Sequence, residues 1–263
     1  MPQFEHYIGV DYSGAETAES SLKGLRIYEA KQDEEPHEIP PQVHPPLIHR
    51  KYWSRRGIAE WIIAELSAGP PALVGIDHGF SFPREYFEAH NLPLDWVFFL
   101  DDFQRHWPTD QENTYVDFVR EGHCGNSALR AGKTTWRRIT ERRCRAKSVF
   151  HFDVQGSVAK STHSGIPWLR LIRSRAVGQV HFWPFDGWQI PEGKSAIVEV
   201  YPALWSKSFH PEDRDPHQHD AYSVAAWLRR ADGEGTLSRF LSPCLNEEER
   251  AIANFEGWIL GIP

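Results

Sequence analysis

The chain has 263 residues, 40% of them hydrophobic and 25% charged, with a net charge of -7 and a mean hydropathy of -0.53. The 11 Trp and 15 Phe exclude a disordered chain, and no apolar run reaches the ~18 residues that a membrane span requires. Cys124, Cys144 and Cys244 are odd in number and lack any Cys-x-x-Cys spacing, which argues against a disulfide framework or a zinc knuckle. The opening segment, Met1 to His6, carries neither the basic flank nor the apolar run of a signal peptide, so a cytoplasmic location and no membrane partner are expected.

In chain order the pattern predicts an α/β protein. Tyr7-Ile8-Gly9-Val10-Asp11 is a short apolar strand, and Leu22 to Ala30 a second that pairs with it as a hairpin. Lys31 to Pro46 holds five prolines and predicts an exposed loop; a third strand follows from Leu47 to Trp53. Ser54 offers an N-cap for a helix carrying Ile58, Trp61, Ile62 and Leu66, which Gly69-Pro70-Pro71 stops. Strand four, Ala72-Leu73-Val74-Gly75-Ile76-Asp77, comes directly after. From about residue 80 to 178 the alternation gives way to a long, mostly helical insertion within one domain spanning 1–263. Val180 to Phe185 and Ala196-Ile197-Val198-Glu199-Val200 then read as strands. Asp215 and Pro216 open a helix as N-cap and first residue, and Asn246 with Glu249 forms a capping box for a terminal one.

Two of these strands end in an aspartate. Strands that are apolar throughout suit a parallel sheet covered on both faces, where ligands bind beyond the carboxyl ends. If the strands are neighbours, their backbones lie roughly 4.8 Å apart, and Asp11 and Asp77 converge on one rim. Glu199, on an otherwise apolar strand, and Asp220, early in its helix, complete a candidate quartet. Four close carboxylates repel each other, whereas Mg²⁺ or Mn²⁺ would make the cluster favourable. Each also has a plainer reading: Asp11 and Asp77 as turn residues, Glu199 in a salt bridge, Asp220 as a partner of the helix dipole.

Despite the acidic total, Lys133, Arg137, Arg138, Arg142, Arg143, Arg145 and Lys147 face only Glu141 between residues 133 and 147. Such a concentration attracts a phosphate backbone or forms a solvated helix face. Lys133, Arg137, Arg138 and Arg142 are the candidate nucleic-acid contacts. His219 is a candidate for proton transfer beside Asp220, the alternative being a solvent-facing loop histidine.

Ile8-Gly9-Val10-Asp11, Gly75-Ile76-Asp77, Val198-Glu199-Val200-Tyr201-Pro202, Asp220-Ala221 with Ala225, and Glu256-Gly257-Trp258-Ile259 resemble the signature blocks of a domain-of-unknown-function family of predicted nucleases in the RNase H-like superfamily. The resemblance implies an RNase H-like mixed five-stranded sheet in the order 3-2-1-4-5, with the second strand antiparallel and helices on the flanks. It implies Mg²⁺ or Mn²⁺ at Asp11, Asp77, Glu199 and Asp220. His78-Gly79-Phe80-Ser81 is bulkier than the residues expected after the second aspartate, and that bulk is expected to narrow the substrate mouth. A metal-dependent nuclease is therefore the leading expectation. The alternatives are a non-catalytic nucleic-acid-binding or partner-binding protein of the same fold, and a phosphotransferase of the actin and sugar-kinase type, for which the phosphate loops are missing.

Overall fold

Six strands and nine helices are described in a computed structural model that covers residues 2–14, 16–41 and 50–263. The strands are β1 (His6–Tyr12), β2 (Leu25–Lys31), β3 (His37–Glu38), β4 (Ala72–Asp77), β5 (Val180–Phe182) and β6 (Ser195–Glu199). The helices are α1 (Arg55–Ala68), α2 (Arg84–Ala89), α3 (Trp96–His106), α4 (Val116–Arg120), α5 (Ile139–Cys144), α6 (Ala159–Arg175), α7 (Pro216–Gly233), α8 (Leu237–Leu241) and α9 (Glu247–Glu256). The strands form one mixed sheet in the order β3-β2-β1-β4-β6-β5. β2 runs antiparallel to β1 and to β3, while β1, β4, β6 and β5 pair in parallel.

Helix starts follow the predicted caps. The Ser54 hydroxyl accepts from Gly57 N at 3.2 Å, and the Asp215 carboxylate from Gln218 N at 3.0 Å with the reciprocal bond present. Asn246 and Glu249 close a capping box at 2.9 and 3.1 Å. Each cap satisfies amides that the first helical turn leaves without a partner.

Two expectations about strands change. The Pro-rich stretch does not stay irregular, because His37 and Glu38, between Pro36 and Pro40, pair with β2 as an edge strand where prolines on either side are tolerated. Of the predicted third strand, residues 47–49 lie outside the described residues and 50–53 form no strand. The sheet also has six strands instead of five. After α6 the chain makes the three-residue β5 at the edge before β6 inserts beside β4.

Side chains alternate across the strands and divide the interior into two cores. Ile8, Val10, Ile27, Val74, Ile76 and Ile197 pack with α1, α3 and α6 on one face. Tyr7, Tyr28, Leu73, Ala196 and Val198 pack with α7 on the other. Helices α2 to α6 occupy the predicted insertion between β4 and β5. No helix among the described residues is long and apolar enough to cross a membrane.

Candidate functional site

Two glycines bring the site together. Gly9 and Gly75 are register partners on adjacent strands. A Cβ on Gly9 would lie 2.2 Å from the Ala221 carbonyl oxygen and 2.8 Å from Ala225 N; one on Gly75 would lie 2.8 Å from side-chain atoms of Val200 and Val224. Helix α7 therefore rests on backbone, an approach that a side chain at either position would block. Tyr7, Gly9 and Asp11 on β1 and Leu73, Gly75 and Asp77 on β4 point to this helix by their period of two. Asp11 and Asp77 are themselves register partners at the carboxyl ends of parallel neighbours. Asp220 directly precedes Ala221 on α7, so three of the four predicted carboxylates belong to one rim and one face.

Their electrostatics are strained. Asp11 is 1% exposed. Its Oδ1 accepts from Ser13 N at 2.9 Å, and its Oδ2 lies 2.9 Å from His217 Nδ1. That hydrogen bond holds His217 above the usual imidazole range. Burial, followed by the charges of Asp11, Asp220 and Glu199, pushes Asp77 well above the ordinary carboxylate range. Burial and then Asp11 push Asp220 up to about 6. Among the described residues no Lys or Arg pairs with any of the three aspartates. An all-oxygen donor set that lacks a fixed cation is what Mg²⁺ or Mn²⁺ accepts, so Asp11, Asp77 and Asp220 fit such an ion by their chemistry. Their oxygens are not drawn to ligand spacing. Among the described residues the group with three ligand atoms all within 4.8 Å of one another is instead His6, Glu29 and Glu65.

Glu199 departs from the expectation. Its register partner is Ile76, so it leaves the sheet on the face of Ile197, yet its side chain lines the same cavity as Asp77. There both oxygens are taken: Arg138 reaches Oε1 at 2.5 Å and Oε2 at 2.7 Å, and Phe80 N donates to Oε2 at 3.0 Å. With two oxygens already neutralised and hydrogen-bonded, Glu199 does not fit as a metal ligand in this arrangement.

Arg138 is corrected for the same reason. It is 1% exposed and also bonds Glu141 at 2.8 Å, so it is a buried strut and not a surface contact for phosphate. Of the other candidate contacts, Lys133 and Arg142 are exposed and Arg137 is half-buried. Arg142 lies 3.8 Å from Glu85 and donates to the Arg137 carbonyl. Two basic residues left out of the candidate contacts, Arg145 and Lys147, share a cavity with Asp77. Both are exposed, and the cavity, of about 180 Å³, is also lined by His78, Arg138, Glu199 and Tyr201.

The histidine assignment shifts as well. His219 directs Nε2 at the Ser206 carbonyl, 3.0 Å away, whereas His217 touches the cluster. The signal was present in the spacing: His217 and Asp220 are three apart near the start of one helix and share its face. His78 and Phe80 turn inward, with His78 between Tyr12 and Phe80 at ring separations of 4.7 and 5.2 Å. Burial depresses His78 to about 3 and keeps it neutral. His78 packs against these rings and at the same time lines the cavity with Asp77 and Gly79. Cys144 is partly buried and its thiol is pushed up by burial, which leaves it unreactive.

Comparison of the chain with family models, curated proteins and solved structures gave no match. The functional reading rests on geometry and chemistry alone.

Proposed function

We propose that the chain is a metal-dependent nuclease of RNase H-like fold, in which Asp11, Asp77 and Asp220 hold Mg²⁺ or Mn²⁺ and Arg145 and Lys147 receive the phosphate backbone. The observation that carries this reading is the cavity that Asp77 lines together with the two cations. A scissile phosphate seated there would meet positive charge from the protein while its reacting oxygens face the carboxylate rim. Divalent metal bound at that rim supplies an acidified water and charge stabilisation for the leaving oxygen of an in-line displacement. Asp11 is pre-oriented by Ser13 and His217, and His217 is placed to give or take a proton at Asp11 Oδ2. Arg138 and Glu199 brace the cavity wall. The order β3-β2-β1-β4 with an antiparallel β2 is in keeping with the RNase H-like assignment.

The test is a cleavage screen over single-stranded, duplex, hybrid and branched nucleic acids with Mg²⁺ or Mn²⁺, using Asp11→Asn and Asp77→Asn as blanks. Cleavage is expected to vanish in chelator and in both variants. Double substitution of Arg145 and Lys147 with Ala is expected to lower the salt dependence of binding by up to about two phosphate contacts. Binding that persists in chelator, with no turnover on any substrate, would replace the nuclease with a non-catalytic nucleic-acid-binding protein.

A further inference from the structure

We propose that His6, Glu29 and Glu65, with His37 beside them, form a second cation site, one that takes a transition metal of the zinc class and clips α1 to the sheet. It lies at the amino end of β1. Asp11 is five residues further along, roughly 16 Å at a strand's rise per residue, and faces the opposite core. His6 shares the α1 face with Ile8 and Val10, and Glu29, the register partner of Ile8, lies on that face too.

The distances approach coordination spacing. His6 Nδ1 is 3.0 Å from Glu29 Oε1 and 3.7 Å from Glu65 Oε1. Metal bonds of about 2.0 to 2.2 Å, opened to between octahedral and tetrahedral angles, separate neighbouring ligand atoms by about 2.9 to 3.5 Å, so the Glu29 contact has that spacing and Glu65 needs only a small side-chain movement to reach it. The second oxygen of Glu29 lies 3.8 Å from His37 Nε2 on the edge strand β3, outside the group of three mutually close ligand atoms.

Two further observations point to a ligand in place of a simple ion pair. Glu29 is 8% exposed, and no hydrogen bond to its carboxylate is found among the described residues. Its charged neighbours are the two histidines; the adjacent Lys31 lies 3.9 Å from Glu34 instead. His6 Nδ1 is itself buried without a hydrogen bond of acceptable geometry, despite its closeness to both carboxylates. A buried carboxylate without a donor is costly, and so is a buried ring nitrogen without a partner. One divalent cation would satisfy both. Mixed imidazole and carboxylate donors select zinc-like ions over Mg²⁺. His6 also lines an open cavity of about 260 Å³.

The experiment uses tag-free protein, with Co²⁺ as the spectroscopic probe and Zn²⁺ as the competitor. Wild-type protein is expected to bind Co²⁺ at this site with visible absorption of a nitrogen-containing set, to lose that absorption to Zn²⁺, and to melt at higher temperature with Zn²⁺ present. His6→Ala and Glu65→Gln are expected to weaken Co²⁺ binding by at least about tenfold and to abolish the Zn²⁺-dependent rise in melting temperature. Glu65 is only half-buried, so Glu65→Gln retains the fold and its metal-free melting temperature provides the control. Asp77→Asn should leave the Co²⁺ spectrum unchanged, which separates this site from the nuclease reading. Wild-type Co²⁺ affinity in His6→Ala and Glu65→Gln, or loss of the spectrum in Asp77→Asn alone, would overturn the proposal.

Discussion

Glu199 illustrates how one register position decides what an acid does. An acid on an apolar strand demands a partner, and the sequence alone left a metal and a salt bridge as the alternatives. Deciding between them needed the pairing of Ile76 with Glu199, which sets the carboxylate beside Arg138, whose guanidinium takes both of its oxygens. Glu199→Gln leaves the buried guanidinium with Glu141 as its one carboxylate partner among the described residues and should cost about 3 kcal/mol in urea denaturation, with Mn²⁺ affinity unchanged. A fall in affinity as large as that caused by Asp77→Asn would return Glu199 to the metal set. Asp220 makes the complementary case, because its carboxyl is raised to about 6 in the fold. The folded state holds that proton more tightly than the unfolded chain does. Its contribution to stability is therefore complete below about pH 4 and is lost as pH rises through about 6. In metal-free buffer Asp220→Asn should flatten the decline in stability across that window, and pH profiles identical to wild type would refute the electrostatic picture. Because metal and proton compete for the same oxygens, Mn²⁺ affinity should rise with pH over the same interval.

At the scale of elements, the helices were legible because their signals are local. Ser54, Asp215 with Pro216, and Asn246 with Glu249 mark starts that need no tertiary context. β1 and β4 were legible for a related reason: each is a short apolar run ended by an aspartate. The edge strand β3 was not, because two residues between prolines carry no periodicity and acquire pairing only from β2. Nor was the insertion of β6 between β4 and β5, since strand order is a property of the sheet and leaves no local trace. The seat of α7 on β1 was hidden in plain glycines. Gly9→Ala would set a methyl group against the Ala221 carbonyl, where backbone cannot yield cheaply. It is expected to destabilise the protein by about 3 kcal/mol, the upper end for overpacking, and to weaken Mn²⁺ binding as α7 carries Asp220 away. Wild-type stability and affinity in this variant would mean that the helix has slack that its contacts do not suggest.

For the molecule as a whole, charge is divided within one neighbourhood. Among the described residues no Lys or Arg pairs with the three aspartates, while Arg138, which lines a cavity with Asp77, is held by Glu199 and Glu141. The basic stretch that looked like a single surface patch in sequence is divided by folding: Arg138 is buried, Arg143 pairs with Glu249, and Arg145 and Lys147 reach the cavity. Sequence proposed Asp11, Asp77, Glu199 and Asp220 for one site, but burial of Arg138 and the direction of His217 depended on contacts between residues far apart in the chain. The glycine floor beneath α7 also has a consequence for motion. With helix backbone in contact with strand backbone, β1, β4 and α7 have little freedom to open separately, so their amides should exchange with deuterated solvent together and only at the rate of global unfolding. Exchange of 72–77 or 217–225 markedly faster than that of 7–11 would contradict this coupling. If the three elements open as one, a ligand has to reach the aspartates while the carboxylates stay fixed relative to one another.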